Sequence, residues 1–377
     1  MNTTQKLAQL GQSIWYDNIQ RGLLDDGTLA GMIAREEIRG VTSNPTIFMN
    51  AITKTADYDT ELLPLLAAGH SATDAFWQLA IADIRAAADL FRPLYEATHG
   101  GDGYVSLEVS PTLADDTAAT LEEARALWRR VDRPNLMVKI PATPAGIPAI
   151  RAAIAEGINV NVTLIFARER YAEVMDAYLA GLEQRAAEGR PLDGIASVAS
   201  FFVSRVDTLV DKRLEAIIEE GGTRGAAATA LLGRAAVANA RLAYADFKQL
   251  FGGERFARLQ ARGARVQRPL WASTGTKNPA YSQTLYVDSL IGPHTVNTLP
   301  PATFDAFLSS GEAGLTATMD REGGTARLAK LAVLGVDLDS VTERLLKEGL
   351  EAFEKAYRAL LAELERKGNV LSSSHGG

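Results

Sequence analysis

Lys139 sits between Val138 and Ile140 in an otherwise apolar, β-like segment, Leu136–Ile140. A lysine that is buried and unpaired is costly and has a depressed pKa. The same depression makes its amine nucleophilic near neutral pH, which is what Schiff-base chemistry on a carbonyl requires. The plainer alternative is a head that reaches the surface, or a structural ion pair with Asp17 or Glu108. These two carboxylates stand in or at the end of β-like segments of their own. Imine formation, dehydration and carbon–carbon cleavage each move protons, which a lysine alone cannot do. One carboxyl could take and return the proton of a substrate hydroxyl. The second could hold the water that leaves and re-enters at the imine carbon. Taken singly, each also reads as a helix cap or a salt bridge.

Neutral donors and acceptors occur at further segment ends: Asn44, Asn161, Thr163 and Ser200. Turn chemistry is the competing explanation, strongest for Asn44, because Ser-Asn-Pro-Thr is a good turn or helix-start sequence. Arg205 is a candidate phosphate clamp, against a surface charge in the first turn of the next helix. Ser273 and Lys277 lie in the loop Ser273-Thr274-Gly275-Thr276-Lys277, whose backbone N–H groups could complete an anion site.

The elements that must position these residues alternate between two periods. Eight β-like segments are Ser13–Asp17, Gly40–Asn44, Tyr104–Val109, Leu136–Ile140, Ile158–Leu164, Ile195–Ser200, Pro269–Thr274 and Thr295–Leu299. Between them run helical patterns with apolar residues at i, i+3, i+4. Phe76, Ala80, Ile84, Ala87 and Phe91 form one stripe; Leu121, Ala124, Trp128 and Val131 form another. Ile147, Ile150 and Ile154 form a third, and Val206, Leu209, Leu214 and Ile217 a fourth. Ser71 and Thr117 stand where helix caps belong. Strands alternating with helices imply a parallel sheet, and eight strands can close into a (β/α)8 TIM barrel. A doubly wound open sheet has the same periodicity. However, no Gly-x-Gly-x-x-Gly follows the first strand and no Gly-Lys-Ser/Thr loop occurs. The run Gly221–Gly225 reads as a loop before a long Ala-rich helix. Residues 1–310 are assigned to the barrel and 311–367 to additional C-terminal helices packed on it, ending in the strongly patterned Val341–Arg366. Residues 368–377 are expected to form a disordered tail.

Composition narrows the function classes. The 377 residues include no cysteine, so thiol catalysis, disulfides and Cys-type zinc sites are excluded. Four histidines, His70, His99, His294 and His375, are scattered without ligand spacing, and no metal is expected. A net charge of −7 argues against nucleic-acid binding, which wants a basic face. No apolar stretch is long enough to span a bilayer, so no membrane partner is expected. The N-terminus lacks the apolar region of a secretory signal, and a cytoplasmic location is expected.

Several blocks together carry a family resemblance. They are Trp15-Tyr16-Asp17, Gly40 through Phe48 (Gly-Val-Thr-Ser-Asn-Pro-Thr-Ile-Phe), Val105-Ser106-Leu107-Glu108-Val109, Met137 through Thr143, Gly157 through Phe166, and Ser200 through Arg205. In this order and over roughly residues 10 to 300, the chain resembles the transaldolases, members of the class I aldolase-like barrels. The resemblance implies a cofactor-free Schiff-base enzyme of the pentose phosphate pathway acting on sugar phosphates. Such enzymes move a dihydroxyacetone unit from sedoheptulose 7-phosphate to glyceraldehyde 3-phosphate, giving erythrose 4-phosphate and fructose 6-phosphate. By the same resemblance Lys139 matches the imine-forming lysine and Asp17 the acid/base at the C4 hydroxyl. Glu108 matches the residue that works with Thr163 on the catalytic water. Asn44, Asn161 and Ser200 match groups that hold the dihydroxyacetone hydroxyls, and Arg205 the phosphate-binding arginine. The chain departs from the family at Phe201 (often proline), at Ser204 (often glycine), and after the seventh strand. There Lys277 follows later than the usual Ser-x-Arg, as a point charge without the bidentate fork. Association as monomer or homodimer stays open, and so does the role of the C-terminal helices.

Two other readings compete. An aldolase of the same superfamily would release free dihydroxyacetone; its relatives tend to carry a tyrosine at the position of Phe202. A phenyl ring has no proton to give, which favours holding the enamine until an aldehyde arrives. Phe202 also reads as plain core beside a strand end. A non-catalytic sugar-phosphate-binding barrel would show a lost lysine or carboxylate, whereas Lys139, Asp17 and Glu108 are all present.

Overall fold

The computed structural model describes residues 1–374, with side chains through Asn369. Eight parallel strands close on themselves in sequence order. They are β1 (Gln12–Tyr16), β2 (Gly40–Val41), β3 (Tyr104–Glu108), β4 (Leu136–Pro141), β5 (Val160–Ile165), β6 (Ser197–Phe202), β7 (Arg268–Ala272) and β8 (Thr295–Leu299). Closure comes from β8 lying beside β1, with Gln12 opposite Thr295 and Tyr16 opposite Leu299. This rules out the open sheet. Apart from Arg268, half-buried at the start of β7, every strand residue is buried, as a parallel sheet covered by helices demands.

Boundaries differ from the sequence reading where side chains compete for the backbone. β2 stops at Val41 rather than Asn44, because Asn44 turns to cap the helix Pro45–Lys54, its side chain accepting from the Ile47 N–H at 3.0 Å. β5 starts at Val160 and carries a register shift against β6 between Val162 and Ile165. Leu164, inside that shift, has φ +59°, a left-handed conformation rare for a branched residue. Ser71 caps the helix Ala72–Ala97 as expected. The helix Thr117–Val131, however, is capped by Asp116, and Thr117 is its first residue. The glycine run is not a loop throughout: the break falls at Gly221 (φ +75°) and Gly222 (φ +67°), and a helix Gly222–Thr229 begins within it.

At the bottom of the barrel a buried carboxylate, Asp102, gathers Ser13, Trp15 Nε1 (3.1 Å), Arg39 Nε (2.8 Å) and Arg268 Nη1 (3.4 Å). It ties β1, β7 and the approach to β3 together. Beyond residue 310 the helix Arg321–Val333 packs on the helix Ala235–Phe251. The last helix, Leu338–Ser374, runs past Lys367, where the sequence reading begins a tail; of that tail, residues 375–377 lie outside the described residues. It crosses the upper end of the barrel, touching the helices Pro45–Lys54, Asp59–Ala67, Ala72–Ala97 and Ser204–Glu220 and the end of β5. Its stripe of Leu345, Phe353, Tyr357, Leu360 and Leu364 is buried there. Among the described residues no helix is long and apolar enough to cross a membrane.

Candidate active site

Strand register decides what can meet. Glu108 at the end of β3 lies opposite Lys139 in β4, and Lys139 opposite Asn161 in β5. The Lys139 ammonium stands 3.2 Å from Glu108 Oε2 and donates to the Ser43 carbonyl at 3.1 Å. Both side chains are nearly sealed, 6% and 5% exposed. The premise of an unpaired lysine therefore does not hold in this resting arrangement, where the structural ion pair with Glu108 is realised. Such a pair is held against a desolvation penalty that its attraction only roughly offsets, so stability alone does not account for it.

Asp17 follows directly on β1, its N–H still donating to Leu299 at 2.8 Å. Thr42 Oγ1 donates to Asp17 Oδ1 at 2.6 Å and lies 2.6 Å from the Thr298 hydroxyl. Burial pushes the Asp17 carboxyl above its ordinary value, while the Lys139 ammonium and the Thr42 hydroxyl pull it down. Glu108 is likewise pushed up by burial and pulled down by Lys139, with the charge of Asp17 pushing it up further. Two carboxyls thus share one ammonium, and each is poised to hold a proton more readily than in water.

A cavity of about 160 Å³ is lined by Asp17, Asn44, Lys139, Thr163, Ser200, Phe202, Arg205, Ser273 and Lys277. Nine of the eleven residues singled out in the sequence thus face one space at the carboxyl ends of the strands. Glu108 reaches that space through its bond to Lys139. Asn161 lies fully buried beside it, giving Nδ2 to the Ser106 hydroxyl (3.0 Å) and accepting from Ser200 at 2.7 Å. The Thr163 hydroxyl is buried and finds no partner among the described residues. Asn44 Oδ1 is taken up by its helix cap, so the turn role and the cavity position coexist in one residue.

Arg205 occupies the first turn of the helix Ser204–Glu220, where a cation opposes the helix dipole. Burial lowers its pKa, the charge of Glu348 acting the other way, and its guanidinium lies over the Phe202 ring at 5.4 Å. Phe202 packs on Phe166 with ring centres 5.1 Å apart. Ser273, at φ +54°, shares a 2.9 Å hydroxyl contact with Ser204, and Lys277 is exposed at the rim.

Sequence reasoning missed Thr42, Thr298 and Phe353, all of which line the cavity. Thr42 was within reach, two residues before Asn44 at a strand end. Phe353 lay within the strongly patterned Val341–Arg366, whose pattern does not say what it covers. A larger cavity of about 960 Å³ opens at the opposite end of the barrel, beside Arg39, Asp102, Arg265 and Arg268. It contains no lysine–carboxylate pair, and barrels place their chemistry at the other face.

Fold and site together define an α/β barrel enzyme with a buried lysine–carboxylate centre beneath a cationic rim. Residues 14–364 match the Transaldolase/Fructose-6-phosphate aldolase family. The chain is 53% identical over 362 residues to a transaldolase of Saccharopolyspora erythraea, covering 95% of either chain. It is 52% identical to a transaldolase of Thermobifida fusca, over 95% of this chain and 96% of the relative. Against a transaldolase of Trichodesmium erythraeum the identity is 45%, over 98% and 99%. The chain belongs to the transaldolase/fructose-6-phosphate aldolase family and is an enzyme of the transaldolase kind.

Proposed function

We propose that this chain transfers a dihydroxyacetone unit from sedoheptulose 7-phosphate to glyceraldehyde 3-phosphate through an imine on Lys139, as a cytoplasmic enzyme of the pentose phosphate pathway. The observation that carries the reading is a sealed amine flanked by two carboxyls in one small cavity. The Lys139 amine, after passing its proton to a carboxylate, attacks the donor's keto carbon. The carbinolamine loses water, which takes its proton from Glu108, and an iminium forms. Asp17 accepts the proton of the C4 hydroxyl as the C3–C4 bond breaks. An aldose phosphate leaves, and the bonding pair stays as an enamine. Addition of that carbon to the acceptor aldehyde reverses the sequence, and water re-enters beside Glu108 and Thr163 to free the product. The unsatisfied Thr163 hydroxyl supports this, because buried polar groups are normally hydrogen-bonded. Asn44, Asn161 and Ser200 are assigned to the dihydroxyacetone hydroxyls.

Arg205 is assigned to the phosphate, with Ser273 and Lys277 as its neighbours. A half-buried guanidinium at a helix N-terminus suits an anion twice over, by its own charge and by the helix N–H groups. The test is mass spectrometry after borohydride reduction with fructose 6-phosphate. The expected result is a dihydroxyacetone adduct on Lys139 and, when erythrose 4-phosphate is added, sedoheptulose 7-phosphate. Absence of the adduct in folded, active protein refutes the imine. Free dihydroxyacetone without acceptor would favour an aldolase, a reading that the proton-free ring of Phe202 disfavours.

A further inference from the structure

The C-terminal helix Leu338–Ser374 reaches over the strand ends and brings one ring to the amine. The centroid of Phe353 lies 5.6 Å from Lys139 Nζ, and the side chain, 5% exposed, closes the cavity that Phe202 and Arg205 line from the barrel side. One turn earlier, Gly349 leaves no room for a side chain. A Cβ there would meet Leu164 Cδ2 at 2.9 Å and Arg205 Nη1 at 3.4 Å. Beyond it Leu360 and Leu364 are fully buried, so the ring is held from both sides by the seating of its helix.

We infer that Phe353 is a positioning residue that sets the partition between transfer and hydrolysis. The inference rests on the Schiff-base reading above. The enamine left after cleavage has two fates. Its carbon can attack an acceptor aldehyde: a carbon–carbon bond forms, the carbonyl oxygen takes up a proton, and the nitrogen becomes an iminium again. Alternatively the same carbon takes a proton from water, leaving hydroxide. The hydroxide adds to the iminium carbon, and the carbinolamine then collapses to free dihydroxyacetone and the lysine amine. Phe353 disfavours the second fate in two ways. Its body keeps bulk water off the nitrogen and carbon from above, and it has no exchangeable proton. Its ring face attracts the cationic nitrogen, ammonium or iminium, and so fixes where the nitrogen stands. Phe202 and Phe353 thereby place proton-free rings on two walls of the cavity, one from β6 and one from the last helix.

Two substitutions separate these effects. Phe353→Leu keeps an apolar roof without a ring face, and Phe353→Ala opens the roof. Each is assayed with fructose 6-phosphate for free dihydroxyacetone without acceptor and for sedoheptulose 7-phosphate with erythrose 4-phosphate. Borohydride trapping of Lys139 is followed in parallel. For Phe353→Ala the ratio of free dihydroxyacetone to transfer product should rise roughly tenfold. For Phe353→Leu that ratio should stay near the wild-type value, while trapping slows about three- to tenfold through loss of the cation–ring attraction. A loss of folded protein alone lowers both products together and leaves the ratio unchanged. An unchanged ratio in Phe353→Ala that is folded by circular dichroism and still traps the Lys139 adduct overturns the inference and leaves the imine standing. No adduct in the wild type refutes the imine, and the inference with it.

Discussion

Replacing Lys139 by methionine tests the centre as a coupled set of charges. The methionine keeps most of the apolar stem and removes the ammonium. Glu108 then loses its 3.2 Å partner, and Asp17 loses the charge that most lowers its pKa. Breaking a buried pair by deleting one partner costs about 3–5 kcal/mol while the other stays ionised. That corresponds to a fall in melting temperature of roughly 4–6 °C near neutral pH for a chain of this length. The pH dependence is the sharper readout. Burial already holds both carboxyls above their ordinary values, and without the lysine they rise further. A carboxyl whose folded value exceeds its unfolded value binds its proton more tightly in the folded state. Its stabilising contribution is complete below the ordinary carboxylate value and is lost as pH rises through the raised one. The deficit of Lys139→Met relative to wild type should therefore shrink on acidification from about pH 7 to about pH 5, by on the order of 1–3 kcal/mol at about 1.4 kcal/mol per proton and pH unit. Urea unfolding followed by fluorescence at several pH values measures this. A deficit that is constant with pH, or no deficit at all, would falsify the assignment of Lys139 as the charge that holds both carboxyls. The same variant should form no imine and no transfer product; retained transfer activity would sink the mechanism.

Three other substitutions probe separate parts of the site. Phe202→Tyr places a phenolic proton on the cavity wall and should shift turnover from transfer toward aldol cleavage; no gain in free dihydroxyacetone counts against the proton-donor argument. Arg205→Ala should lower kcat/KM for phosphorylated donors roughly ten- to a hundredfold, mostly through KM, the usual worth of a hydrogen bond to a charged group. Steady-state rates with an unphosphorylated ketose donor and an unphosphorylated aldehyde acceptor should barely change, and an equal loss there would mean that Arg205 acts on the fold. Leu360→Ala empties a fully buried position where the last helix seats on the barrel, at about 2–5 kcal/mol. Calorimetry should show that loss, and a stability within error of wild type would mean that the helix is not anchored there.

Much of the centre was legible because strand burial makes a charge conspicuous. Lys139, Asp17 and Glu108 stood out as charges in or at the ends of apolar, β-like segments, and in a barrel the ends of such segments converge. The count of eight strands and the apolar stripes between them were local patterns, and local patterns survive in one dimension. Three things were not local. Barrel closure needed the pairing of β1 with β8, since the same periodicity builds an open sheet. The pairing of Lys139 with Glu108 needed the β3–β4 register; from the sequence the lysine read as unpaired, with the ion pair only as the alternative. Phe353 needed the path of a helix far along the chain, whose stripe says only that one face is buried. Asn44 and Gly221 show the reverse. There a side-chain cap and a pair of positive-φ glycines, Gly221 and Gly222, overrode the propensity pattern, shortening a strand and starting a helix inside a glycine run. Sequence alone thus marked most of the residues that line the cavity and the period of the elements that bear them, because both depend on residue type and near neighbours. Tertiary structure alone decided which charges pair, what covers the amine and how tightly the cavity closes, because those depend on contacts between segments that the chain order does not bring together.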